Sequence, residues 1–235
     1  MEPPKSRGTW AGNFKVINYD RRGRGKSGDT QPYAVQKEVE DIEALVDASG
    51  GSVDLFGTSS GAVLALEAAA QLGPKVRRVF LYEPPFIVDN TQPAIPESLG
   101  SEIARLAQAG ERNQAVRVFF TKAMGLPGFA VTMMRFLMPG WSKMTAVAHT
   151  APYDLAILAG TQSGKPLPAD RWAQAKASVL VSVGGKSEPF FHSGAKALVA
   201  VLPHANYQAL EGRDHSAILM APKALADAAA TFFQQ

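Results

Sequence analysis

The stretch Gly57-Thr58-Ser59-Ser60-Gly61 places a serine between two glycines, each two residues away from it. A hydrophobic segment precedes it, SVDLFG at 52–57, and a segment rich in alanine and leucine follows at once. A serine at such a strand-to-helix turn adopts a strained backbone that exposes its hydroxyl, and the glycines let neighbouring backbone approach. The pattern therefore predicts Ser59 as a nucleophile and the backbone N–H of Ser60, at the helix N-terminus, as a donor to an oxyanion.

A second glycine-rich stretch, NYDRRGRGKSGDT at 18–30, contains two spacings that resemble phosphate-binding loops. Gly23, Gly25 and Gly28 form G-x-G-x-x-G, but the residues DTQP follow before any helical pattern, whereas a dinucleotide-binding loop begins its helix within the motif. A P-loop ending in this GKS would need glycine at position 20, where the chain has Asp20. We therefore expect a tight turn with solvated arginines and no bound nucleotide.

Hydrophobic periodicity predicts which elements hold these stretches. Strands are expected at 14–19, 52–57, 76–82, 178–185 and 206–212, and helical patterns separate most of them. Such alternation favours an α/β fold with a mostly parallel sheet covered by helices on both faces. Residues from about 98 to 160 show only helical patterns, so we expect a core of 1–90 and 170–235 and a helical cap of 91–169. Five of the seven methionines fall in this cap, which could line a tolerant apolar pocket.

Composition excludes several classes of function. The 235 residues include 24 Lys+Arg against 21 Asp+Glu, a formal charge of +3 that requires no nucleic acid or other acidic partner. The chain has no cysteine, and His149, His192 and His204 lack metal-ligand spacing, so we expect no metal site and take these histidines as structural. We find no signal peptide and no membrane-spanning run, which predicts a cytoplasmic protein without a membrane partner.

Four segments together resemble the α/β-hydrolase superfamily, especially small esterase-like members with a helical cap. They are YDRRGRGKSG, GTSSG, LYEPPF and LEGRDHSAI, and the resemblance runs from about residue 10 to the end of the chain. It implies a mostly parallel sheet flanked by helices with an inserted helical cap. It also implies that the glycine-rich stretch at 18–30 shapes the fold and binds no cofactor.

The resemblance implies a catalytic triad in the order serine, acid, histidine. His215, in the loop LEGRDHSAI, takes the place of the general base. Glu188 is our first choice for the acid, because the superfamily's usual acid follows the corresponding strand, although aspartate is commoner there. Glu83 is the alternative acid, since some relatives place it after the preceding strand of the sheet, whereas Asp214 adjoins His215 and is expected to point elsewhere.

The chain departs from the superfamily before residue 14. Three N-terminal strands and a His-Gly loop, which supplies the second oxyanion donor, have no counterpart in those 13 residues. The third of these strands normally lies between those we assign to 14–19 and 52–57. We therefore expect these two strands to pair directly, or a second copy of the chain to supply the missing strand in a homo-oligomer, or a shortened chain that folds poorly.

Two functions remain from the sequence. The first is a serine hydrolase that cleaves a small carboxylic ester or related acyl substrate through an acyl-enzyme, without a cofactor. The alternative is a non-catalytic or truncated α/β-hydrolase-like scaffold that binds a small apolar ligand or a partner.

Overall fold

The computed structural model describes residues 14–235. In this part of the chain the sheet has four parallel strands in the order β1-β2-β3-β4. They are β1 (Val53–Thr58), β2 (Val76–Tyr82), β3 (Ser178–Gly184) and β4 (Ala205–Leu210). Tyr82 lies in register with Thr58 on one side and Ser182 on the other, so β1 and β2 end level and β3 continues two residues further, to Gly184. The predicted α/β fold with a parallel sheet is confirmed.

The predicted strand at 14–19 is wrong. These residues form no strand, and Ile17 is 45% exposed. A β-strand needs a neighbour to take its backbone hydrogen bonds, and β1 pairs only with β2 in the part of the chain that is described. Direct pairing between 14–19 and β1, one of the arrangements expected from the sequence, is therefore not formed. The departure expected before residue 14 lies outside the described residues.

Helices cover both faces of the sheet. α1 (Val35–Ala48) buries Val39, Ile42 and Val46, at the spacing of one helical face. α2 (Ser60–Leu72) packs on β1 and β2. Phe80 and Tyr82, which alternate to one face of β2, share a buried cluster with the C-terminal helices. Three helices complete this set, namely α8 (Pro189–Val201), α9 (Ala217–Met220) and α10 (Pro222–Phe233).

The chain divides into two compact units. In the described chain, the sheet unit comprises residues 14–19, 36–93 and 160–235, and the helical unit comprises residues 20–35 and 94–159. The sequence predicts a cap of 91–169, whereas the helical unit runs from 94 to 159 and also includes residues 20–35. Its helices are α3 (Leu99–Gln108), α4 (Arg112–Val118), a π-helix (Phe119–Ala123), α5 (Gly128–Leu137), α6 (Trp141–Ala146), a 3-10 turn (Ala148–Thr150) and α7 (Ala151–Ile157). They enclose a core of aliphatic side chains centred on Leu99, Ile103 and Val116.

Ion pairs explain why the glycine-rich turn belongs to the helical unit. Asp154 on α7 accepts hydrogen bonds from Arg21 at 2.8 Å and from Arg24 at 2.7 Å. These arginine side chains are only 14% and 28% exposed, so they are not the solvated charges expected from the sequence. Gly25 has a φ of 56°, a backbone conformation that favours glycine, and a Cβ there would displace the Asp20 carboxylate, whose Oδ2 would lie 2.1 Å away. The stretch is a turn that packs on a helix, with no helix beginning inside it.

No helix among residues 14–235 combines the length and the apolar character needed to cross a membrane.

Candidate active site

Ser59 lies at the turn from β1 into α2 and is half-buried. Its φ of 53° is positive, and the only other described non-glycine residue with a positive φ is Glu83, at 51°. Such a backbone costs about 1–3 kcal/mol and persists where its surroundings fix it. The Ser59 N–H donates to the Tyr82 carbonyl at 2.9 Å, which holds the turn against the end of β2. The two strained residues therefore follow neighbouring strands at the same edge of the sheet.

The two glycines of the serine motif have different roles. A Cβ on Gly57 would lie 2.4 Å from the Gly61 carbonyl oxygen and 2.7 Å from Ala62 Cα, closer than real Cβ contacts. Gly57 therefore lets the first turn of α2 lie directly over the end of β1. A Cβ on Gly61 would meet no described atom within 4 Å. The close-approach requirement expected at both glycines thus holds at Gly57 alone.

Glu83 is fully buried directly after β2, and both of its carboxylate oxygens have hydrogen-bond partners. Oε1 accepts the Gly184 N–H at 2.7 Å and the Ser187 hydroxyl. Oε2 lies 2.7 Å from His215 Nδ1. A buried carboxylate is tolerated only when such bonds replace its hydration. The arrangement orients the His215 ring and leaves Nε2 as its other ring nitrogen for proton transfer.

The His215 loop is held by contacts from two directions. The ring stacks on Phe191 at 4.9 Å between centroids, with 15° between the planes. The Tyr82 hydroxyl donates to the Asp214 carbonyl at 2.8 Å. Burial, followed by the nearby Glu83 charge, raises the pKa of Tyr82, so this hydroxyl remains a donor at neutral pH.

The Asp214 side chain bonds to Ser216. Its Oδ1 accepts the Ser216 hydroxyl at 2.5 Å and the Ser216 N–H at 2.9 Å, and these bonds lower the pKa of Asp214. Asp214 therefore caps the turn that follows His215 rather than orienting the imidazole.

Comparison with known proteins agrees with this architecture. Residues 6–228 match the model of the alpha/beta hydrolase family. The chain belongs to this family. A solved alpha/beta hydrolase from Sphaerobacter thermophilus is 41% identical, with a TM-score of 0.80 over 92% of this chain and 80% of that one.

Two more distant structures share the fold of this alpha/beta hydrolase. An alpha/beta hydrolase enzyme from a Medee basin deep-sea metagenome library is 19% identical, with a TM-score of 0.68 over 100% of this chain and 86% of that one. The enol-lactonase from Burkholderia xenovorans is 20% identical, with a TM-score of 0.63 over 92% of this chain and 80% of that one.

Glu188, the first choice for the acid, does not contact His215 in this alpha/beta hydrolase. It is exposed and precedes Pro189 at the start of α8, where it forms no side-chain capping bond. The loop after β3 instead turns the Ser187 hydroxyl toward the site. The structure therefore replaces Glu188 with Glu83 as the partner of His215. Proline is typical of the first position of a helix, so Pro189 marks Glu188 as the residue that precedes a helix.

Two of the remaining histidines, His192 and His149, have other partners, and His204 is exposed. His192 Nδ1 lies 2.8 Å from the Tyr207 hydroxyl, and His149 Nε2 lies 3.7 Å from Asp29 Oδ2. Among residues 14–235, no group of three histidine, cysteine, aspartate or glutamate side chains is placed to hold a metal ion.

Proposed function

We propose that this alpha/beta hydrolase is a serine hydrolase that cleaves a small carboxylic ester or a related acyl compound through an acyl-enzyme. The observation that carries the proposal is the pair of strained residues at adjacent strand ends, Ser59 and Glu83, with Glu83 bonded to His215. Strain of this kind concentrates at functional sites.

The proposed reaction assigns one role to each group. Ser59 Oγ attacks the acyl carbon and its proton passes to His215 Nε2, while Glu83 stabilises the imidazolium. The Ser60 N–H donates to the oxyanion of the tetrahedral intermediate. The intermediate expels the alkoxide, which takes the proton from His215. Water then attacks the acyl-enzyme by the same route, which releases the acid and restores the Ser59 hydroxyl.

The first experiment is intact-mass analysis after exposure to a fluorophosphonate. We expect one adduct on the wild type, none on Ser59→Ala, and an unchanged adduct on Ser60→Ala, which keeps the backbone N–H and loses only a hydroxyl. Hydrolysis of p-nitrophenyl acetate by the same three proteins then measures turnover. A folded wild type without an adduct, or an adduct that survives Ser59→Ala, would refute the proposal.

A second candidate function, binding of a small apolar ligand without turnover, is favoured by a pocket of about 190 Å³ in the helical unit that is open to solvent on one side and has Arg24 and Asp154 in its lining. Most of its lining is apolar, and it includes Val116, Phe119, Phe120, Met144 and Val147. An enclosed apolar cavity of about 150 Å³ binds benzene in another protein, so benzene is a suitable probe for the apolar part of this pocket. Benzene titrated into wild type and Val147→Trp, followed by thermal shift, tests this candidate. Equal shifts in both proteins would place binding elsewhere.

A further inference from the structure

The segment from Gly184, the last residue of β3, to Ser187 contacts both the acid and the histidine loop. Gly184 N–H and Ser187 O–H donate to Glu83 Oε1. On its other side, the Lys186 N–H donates to the Arg213 carbonyl at 2.8 Å. One short loop therefore connects the buried carboxylate to the segment that carries His215.

Gly184 allows this close approach. A Cβ there would lie 2.5 Å from the Arg213 carbonyl oxygen and 2.7 Å from Asp214 Cα. Both are backbone atoms, so only a movement of the backbone could relieve these clashes. The Gly185 N–H adds a bond of 2.8 Å to the Leu210 carbonyl at the end of β4. The loop has little room to shift, and its donors are fixed relative to the Glu83 carboxylate.

We infer that Ser187 is a positioning residue that fixes the rotation of the Glu83 carboxylate so that Oε2 faces His215 Nδ1. This inference rests on the proposed serine hydrolase function. The Gly184 N–H alone gives Oε1 one fixed donor, and the Ser187 hydroxyl supplies a second from a different direction. Ser187 is 8% exposed and Glu83 is fully buried, so water does not readily replace the lost bond when the hydroxyl is removed. The exposed Glu188 next to it has no such contact.

Kinetics on a small set of variants tests the inference. In Ser187→Ala we expect kcat for p-nitrophenyl acetate to fall about 10- to 100-fold, the range for a lost bond to a charged group, with KM within about twofold. Ser187→Thr keeps the hydroxyl and should recover most of kcat. Ser178→Ala, at the exposed start of β3, is the control and should match the wild type. If the alanine variant fails to fold, Ser187→Cys keeps the volume with a weak donor and should show the same loss.

A spectroscopic readout separates this inference from the proposed function. We expect the proton between His215 Nδ1 and Glu83 to give a downfield resonance in proton NMR without any substrate, and Glu83→Ala should remove it. We expect Ser187→Ala to shift or broaden this resonance and Ser187→Thr to preserve it. An unchanged resonance and unchanged kcat in Ser187→Ala would overturn the inference, whereas absent labelling of wild-type Ser59 would overturn the function alone.

Discussion

Substitution of Glu83 by glutamine gives a sharp test because the loop after β3 dictates how an amide would sit. The Gly184 N–H lies 2.7 Å from Oε1 and can only donate, so the amide oxygen must take the Oε1 position. The amide NH2 then faces His215 Nδ1, which must become an acceptor. The imidazole proton moves to Nε2, and the ring can no longer accept the proton of Ser59.

A histidine held in the wrong tautomer costs about 10⁴-fold in kcat in a serine protease triad. We therefore expect Glu83→Gln to lower kcat for p-nitrophenyl acetate by about 10³- to 10⁴-fold, with KM little changed. Glu188→Gln makes the same chemical change on an exposed side chain and should leave kcat within about twofold. Circular dichroism and thermal melts of both variants establish that they fold.

The opposite ranking of the two variants would refute the assignment of the acid. A loss below about tenfold in a folded Glu83→Gln variant would refute the argument from the amide orientation.

Three further predictions concern stability. Gly57→Ala should abolish stable folding, because its Cβ would lie 2.4 Å from a backbone atom. Gly61→Ala should melt at or above the wild-type temperature, because its Cβ would meet no described atom. Equal melting temperatures for the two variants would contradict this prediction. Ser182→Ala removes a buried hydroxyl that has no hydrogen-bond partner in the described chain, so the free energy of unfolding in urea should stay unchanged or rise by up to about 1 kcal/mol, and a larger loss would be the contrary result. Asp154→Ala leaves two half-buried arginines without their carboxylate and should cost about 1–3 kcal/mol in the same assay, so a cost under about 0.5 kcal/mol would show that the pairs contribute little.

The serine turn could be predicted because its determinants are local. A strand, two glycines and a helix follow one another within 57–72, and the close approach at Gly57 is a contact between residues four positions apart. The parallel sheet follows for the same reason, since alternating strands and helices leave few other arrangements.

The identity of the acid and the absence of a strand at 14–19 could not be predicted, because both depend on contacts between distant parts of the chain. Glu83 and Glu188 both follow strands, and only the turn of the loop after β3 decides which carboxylate meets His215. The segment 14–19 has the composition of a strand. A strand forms only where a neighbouring strand takes its hydrogen bonds, and the residues of 14–19 do not specify such a neighbour. The turn at 20–35 likewise contacts Asp154, which lies 133 residues from Arg21 and 130 residues from Arg24.

The hydrogen bonds of Glu83 link the acid to a strand other than its own. Tyr82 and Ser182 lie in register, Glu83 directly follows β2, and its Oε1 accepts from Gly184 at the end of β3 and from Ser187 in the loop beyond. The acid therefore belongs to one strand and its donors to the neighbouring strand. A change in the length of the loop after β3 would alter the setting of the acid even where the acid itself is unchanged.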